Sequence, residues 1–214
     1  MPLLGQATVI SWNRVAPAAR AEFEQWHTEE HLPERLGIPG FLRGRRYQAI
    51  EADRDYLIVY EVRDFDVLQS AAYLTRLNAP TPWTRRVTGT MRDPVRGLCR
   101  TVWSVGLSGH SPFVAAVRLP SNVLLDTQQE QAESLLHAEA CITALHACST
   151  EPHESARLTV ERMHRATEIP QRIALIEGSR LASLRPAGRQ LFGNTGTTGV
   201  FRLQTALTGS GLPE

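Results

Sequence analysis

The run Tyr56-Leu57-Ile58-Val59-Tyr60-Glu61-Val62 is filled with β-branched and aromatic residues and reads as the clearest β-strand in the chain. Asp53-Arg54-Asp55 before it is a turn. Upstream of that turn, Leu42 to Ala52 alternates toward Arg45, Tyr47 and Ala49 and reads as a partner strand. Further back, Ala7 to Val15 is a third strand. It is followed by a helix from Pro17 to about His31 that sets Phe23, Trp26, His27 and Glu30 or His31 along one side. Pro33 and Gly37 end that helix, and Ile38-Pro39-Gly40-Phe41 is a turn. Downstream, Phe65 to Leu77 reads as helix, Asn78 to Thr84 as a polar, proline-rich connection, and Leu98 to Leu107 as a strand. The order is βαββαβ.

Gly106 to Ser111 punctuates the chain, and the same order recurs after it. Pro112 to Leu119 is a strand, Asp126 to about Cys148 a long helix, Arg157 to Arg165 and Gln171 to Glu177 two strands, Arg180 to Phe192 a short helix containing Pro186, and Val200 to Leu207 the last strand. The expected fold class is therefore α+β, with tandem ferredoxin-like repeats over residues 1–107 and 111–208. Each repeat covers one sheet face with helices and leaves the other bare. Two such sheets stacked on their bare faces solve the problem as an antiparallel barrel, closed within the chain or with a second subunit as a homodimer.

Composition narrows the chemistry. The chain has 214 residues, 42% apolar and 21% charged, with a formal net charge of +1, an ordinary globular profile without the basic footprint of a nucleic-acid binder. All 23 basic residues are arginine, so no lysine is available for Schiff-base chemistry. The N-terminus lacks the basic region of a secretory leader, and no apolar run is long enough to span a membrane. Three cysteines without framework spacing, Cys99, Cys141 and Cys148, fit reduced thiols, and a cytoplasmic location is expected. Cys141, Cys148 and His137 are expected on one helix as ordinary packing. No dinucleotide or Walker signature occurs, and the Gly193 to Gly199 loop precedes a strand, which does not suit a phosphate cradle.

Trp26-His27-Thr28-Glu29-Glu30-His31-Leu32-Pro33, the Ile38-Pro39-Gly40-Phe41 turn, Arg45-Arg46-Tyr47 and Tyr56-Leu57-Ile58-Val59-Tyr60-Glu61 occur in that order, with Thr81-Pro82-Trp83-Thr84-Arg85-Arg86 and Arg92-Asp93 beyond them. This set resembles the dimeric α+β barrel proteins, most nearly the EthD-like and related stress-responsive members, over residues 6–105. The second half carries only the element order. The resemblance implies a pocket at the end of the first helix. It leaves function broad, because the superfamily includes cofactor-free monooxygenases, cyclases, isomerases and haem enzymes.

Within that frame His31 is the candidate general acid or base, and a helix-end histidine satisfied locally is the plain alternative. Tyr47 and Tyr60, if both face inward, would orient or stabilise a ligand oxygen. Trp26, His27, Phe41, Arg45 and Trp83 are candidate ligand contacts, the aromatics as walls and Arg45 as a carboxylate or enolate partner; core packing and ion pairing compete with those roles. His27, Glu30 and His31 spell an inverted zinc-protease motif, but Pro33 truncates the helix and no third ligand is apparent, so no metal is expected. No cofactor is assigned. The expectation is a small-molecule-binding barrel, with cofactor-free acid–base chemistry on an aromatic or keto/enol compound if it is an enzyme. The alternatives are a non-catalytic ligand-binding or stress-related protein, and a haem enzyme using His137, His146 or His164 as axial ligand.

Overall fold

The computed structural model describes residues 3–107, 109–163 and 165–209. The chain runs β1 (Ala7–Val15), α1 (Arg20–Trp26), a π-helical turn (His27–His31), α2 (Leu32–Leu36), β2 (Phe41–Glu51), β3 (Tyr56–Val62), α3 (Ala71–Asn78), α4 (Pro82–Thr88) and β4 (Met91–Gly106). It continues through β5 (Phe113–Leu119), α5 (Gln129–Ala138), β6 (Ile142–Thr150), α6 (Pro152–Ala156), β7 (Arg172–Gly178), α7 (Leu181–Phe192) and β8 (Thr197–Thr208). The strands close into one barrel in the order β1-β3-β2-β8-β5-β7-β6-β4, with every pair antiparallel. Each half contributes the same internal order, β4-β1-β3-β2 and then β8-β5-β7-β6. The seams are the reciprocal pairs β2·β8 and β4·β6, so one chain closes the barrel.

Side-chain alternation sorts the apolar residues into three clusters. Phe23, Trp26, Phe41, Ile58 and Tyr60 pack between the first sheet and its helices; Trp103, Leu125, Leu135, Ile176 and Leu184 do the same in the second half. Ile10, Trp12, Tyr47, Leu57, Val59, Cys148 and Phe201 fill the barrel interior.

Several sequence expectations change. The first helix does not stop near His31. Pro33 lacks an N–H, and the turn before it widens so that Leu32 N–H donates to His27 O; the helix then continues to Leu36, with Gly37 as its cap. The Phe65–Leu77 segment divides into a 3-10 turn (Phe65–Gln69) and α3, because Ser70 is extended and its Oγ accepts from Tyr73 N–H. The proline-rich connection holds α4, which Thr81 caps and Pro82 begins.

The long helix over Asp126–Cys148 is not formed. α5 ends at Ala138, and Ile142–Thr150 is instead strand β6, between β4 and β7. Its alanines are good helix formers, but burial on both faces of a central strand overrides that preference and erases the alternation. Cys141 and Cys148 therefore share no helix face; Cys148 is buried in the barrel, where burial pushes its thiol well up. Arg157–Arg165 is not a strand either. With α6 and the 3-10 turn Val160–Arg162 it belongs to a long strap, residues 151–171, joining β6 to β7.

Candidate functional site

The strap crosses to the other half of the molecule. Its backbone is tied to β4 by Glu151 N–H to Leu98 O (2.8 Å), Glu168 N–H to Pro94 O (2.9 Å) and Arg96 N–H to Glu168 O (2.9 Å), and Ser155 Oγ accepts from Leu98 N–H (2.9 Å). Beneath it, between the outer face of β1, β3 and β4 and the helices of the first half, lies a cavity of about 80 Å³. Trp26, His31, Phe41, Tyr60 and Tyr73 wall it, together with Arg35, Arg96, Glu161, Arg162 and Arg165.

The π-turn places the two histidines. His31 is 8% exposed, with its ring 4.4 Å from that of Trp26 between centroids; its Nδ1 has no hydrogen-bond partner among the described residues and sits 3.8 Å from Glu34 Oε2. Burial, then Arg35, Arg165 and Arg96, hold its imidazole well below the ordinary histidine range, so it is neutral at pH 7. His27 is fully buried. Its Nε2 lies 3.3 Å from Tyr60 Oη, and burial, with the positive charges of Arg46 and Arg35 and the cost of charging it beside His31, holds it low as well. Burial pushes the Tyr60 phenol up, so it stays protonated.

Trp26 has a second duty. Its Nε1 donates to Glu30 Oε1 (3.2 Å) and Thr84 Oγ1 (3.1 Å), while Thr81 (2.6 Å) and Thr84 (2.9 Å) also donate to Glu30 Oε1, pinning α4 to the first helix. Trp83 packs half-buried against this cluster and does not line the cavity. Arg35 is ion-paired to Glu161 of the strap and lies 3.6 Å from Glu34 Oε2, and Arg76 contacts the other oxygen of Glu34 at 3.2 Å.

The structure thus brings together His31, Tyr60, Trp26 and Phe41 at one cavity, with His27 behind Tyr60. It does not bring Tyr47 and Arg45 there. Tyr60 pairs opposite Gly44 and Tyr47 opposite Leu57, so the two tyrosines lie on opposite faces of the sheet. The expected convergence of Tyr47 and Tyr60 on one ligand oxygen is corrected accordingly. Arg45 is fully buried inside the barrel, 2.6 Å from Glu177 and 3.1 Å from Glu61, with its guanidinium 5.7 Å from the Tyr47 ring centroid. Arg43 pairs with Glu61 at 2.6 Å in the same place. Against the cost of burial, Arg45 and then the hydrogen bond with His146 hold the Glu177 carboxyl down to about 2. Arg35, Arg96, Arg162, Arg165, Glu161 and Tyr73 were not foreseen. Arg162 and Arg165 come from the other half of the sequence, in a stretch with no periodicity to expose it.

Among the described residues no group of His, Cys, Asp or Glu is placed to hold a metal ion. Of the histidines considered as haem ligands, His146 has both ring nitrogens engaged, Nδ1 by Ser104 (2.9 Å) and Nε2 by Glu177 (3.2 Å), His164 lies outside the described residues, and His137 is exposed at the edge of a second-half hollow of about 620 Å³. The His31 cavity is far below the roughly 300–1,000 Å³ of a site for a ligand the size of haem.

No protein-family profile matches the sequence, and no curated protein matches it. Solved structures do match its shape. An anthrone oxidase-like protein aligns with a TM-score of 0.57 at 10% identity, over 96% of this chain and 94% of that one. A mutant chlorite dismutase from Candidatus Nitrospira defluvii aligns with a TM-score of 0.54 at 11% identity, over 94% and 92%. A haem-binding protein from Thermus thermophilus gives 0.52 at 10% identity, over 94% and 92%. At such identities the likeness speaks to architecture, and with the reciprocal strand order it establishes one conclusion: this chain has the dimeric α+β barrel fold, with both halves of the barrel supplied by a single polypeptide.

Proposed function

We propose that the cavity beneath the strap binds a small enolisable molecule and that His31 acts on it as a general base without a cofactor. The observation that carries this reading is a neutral, buried imidazole on the wall of a small cavity rimmed by guanidinium groups. A proton on Nδ1 facing Glu34 would leave Nε2 free as the base. In the step, the C–H bond next to a carbonyl breaks, the proton passes to Nε2, and the electron pair moves onto the carbonyl oxygen as an enolate. The positive wall favours that negative charge as it develops. Return of the proton to another carbon completes an isomerisation; attack of the enolate carbon on a second carbonyl completes a cyclisation. Tyr60, kept protonated and steadied by His27, is the nearby phenol donor.

The test is hydrogen–deuterium exchange at the acidic methylene of pentane-2,4-dione in D₂O, followed by NMR with and without protein. Exchange accelerated by the wild type and lost in His31→Gln supports the reading. Equal acceleration by the two proteins, or none by either, overturns it. General-base catalysis contributes about 10²–10⁴-fold, so the effect is large enough to read.

A further inference from the structure

The charges around the cavity do not balance. Arg35, Arg96, Arg162 and Arg165 line it, against the single carboxylate of Glu161. Widening the view to the pair behind Arg35 adds Glu34 and Arg76 and leaves the excess unchanged. Arg96 donates to the neutral Tyr73 hydroxyl (2.6 Å), Arg162 to the carbonyls of Ser155 (2.7 Å) and Arg157 (3.2 Å), and Arg165 to those of Glu161 (2.6 Å) and Thr88 (3.4 Å). Among the described residues no carboxylate forms an ion pair with these three guanidiniums. Arg35 is 3% exposed, and among the described residues neither its Nη1 nor His31 Nδ1 has a hydrogen-bond partner. Burial, then Arg96, pushes Arg162 down to about 10, and burial, with Arg96, also lowers Arg165. Like charges packed this closely are costly unless something negative is to join them.

We propose that the strap turns this cavity into a receptor for a short carboxylic acid, with the carboxylate held by the arginine cluster and the enolisable carbon beside His31. Guanidinium groups grip a carboxylate through paired N–H donors, which suits a planar monoanion. Size sets the rest of the substrate. A cavity of about 80 Å³ has room for a small molecule only. A short oxo acid suits that space, whereas a polycyclic aromatic exceeds it. Arg162, Arg165 and Glu161 come from the second half, so it supplies the specificity of the first half's site. The substrate class rests on the enolisation reading above, but binding can be measured apart from chemistry.

The experiment is calorimetric titration of the full chain with three probes. They are acetoacetate, the uncharged pentane-2,4-dione of similar size, and inorganic phosphate. Acetoacetate is expected to bind about tenfold or more tightly than pentane-2,4-dione. Arg165→Met should weaken acetoacetate about tenfold, and Glu161→Gln, which removes the cavity's one negative charge while keeping its shape, should tighten it several-fold. A variant that merely damages the fold weakens binding, so opposite signs for the two substitutions separate charge recognition from disruption. The proposal is overturned if the two organic probes bind alike, if Glu161→Gln weakens acetoacetate, or if phosphate binds and acetoacetate does not. Acetoacetate binding without methylene exchange would leave the anion receptor standing and remove His31 as base. Exchange of pentane-2,4-dione without preference for the acid would do the reverse.

Discussion

Lowering the pH should destabilise this protein at the first helix before its carboxylates titrate. His27 and His31 are both buried and neutral, held low by burial and by neighbouring positive charge. In the unfolded chain each takes up a proton near pH 6.5. The folded chain does not, so the unfolded state binds more protons and stability falls as the pH drops through 6.5 toward the folded-state values. At the limit each histidine costs about 1.4 kcal/mol per pH unit, and the pair about 2.7 kcal/mol. For a chain of this size that is a loss of about 5–11 °C in Tm per pH unit. The assay is urea or thermal unfolding at steps between about pH 7.5 and about pH 5.5, on wild type, His31→Gln and the double variant with His27→Gln. Each substitution should remove about half of the slope, whatever it does to stability at neutral pH. A flat wild-type profile below pH 6.5, or an unchanged slope in the double variant, would refute the picture of two uncharged buried imidazoles.

Other outcomes follow from the barrel. Glu177→Gln leaves Arg45 short of a counter-charge in a fully buried site and should cost about 3–5 kcal/mol in denaturant unfolding, much of it recovered when Arg45→Met is added. Tyr47→Phe deletes a buried hydroxyl that has no hydrogen-bond partner among the described residues, so its unfolding midpoint should be unchanged or higher. Gly44→Ala would set a methyl 2.3 Å from Leu32 Cδ1 and 2.9 Å from Tyr60 Cε1, and should lose about 1–3 kcal/mol while shifting the near-ultraviolet signal of the tyrosine.

What the sequence disclosed follows from how each element meets its surroundings. β1 and β3 show in their β-branched and aromatic content, and β2 in its alternation. β6 does not, since its Ala144, Leu145, Ala147 and Cys148 are buried on both faces and carry no period of two. α4 could have been found from Thr81-Pro82, a capping residue followed by proline. For the site, the helix disclosed His31, Trp26 and His27, but the tyrosines needed register. Tyr47 and Tyr60 look equivalent until the pairings of Gly44 with Tyr60 and Tyr47 with Leu57 assign them to opposite faces. The arginine cluster was invisible for a different reason. Arg96 and Arg165 are far apart in sequence, and only the route of the strap makes them neighbours.

That route bears on how such a barrel can change over time. Two identical chains forming a barrel would carry identical straps and identical cavities, and each substitution would act in both. Joined end to end, the halves are released from that constraint. The second half packs Trp103, Leu125 and Leu184 into its helix-side layer and lends its strap to its neighbour. Substitutions in residues 151–171 can therefore alter one wall of the cavity while the helix that carries His31 keeps its sequence, and the ion pair of Arg35 with Glu161 is the point where the two walls must still change together.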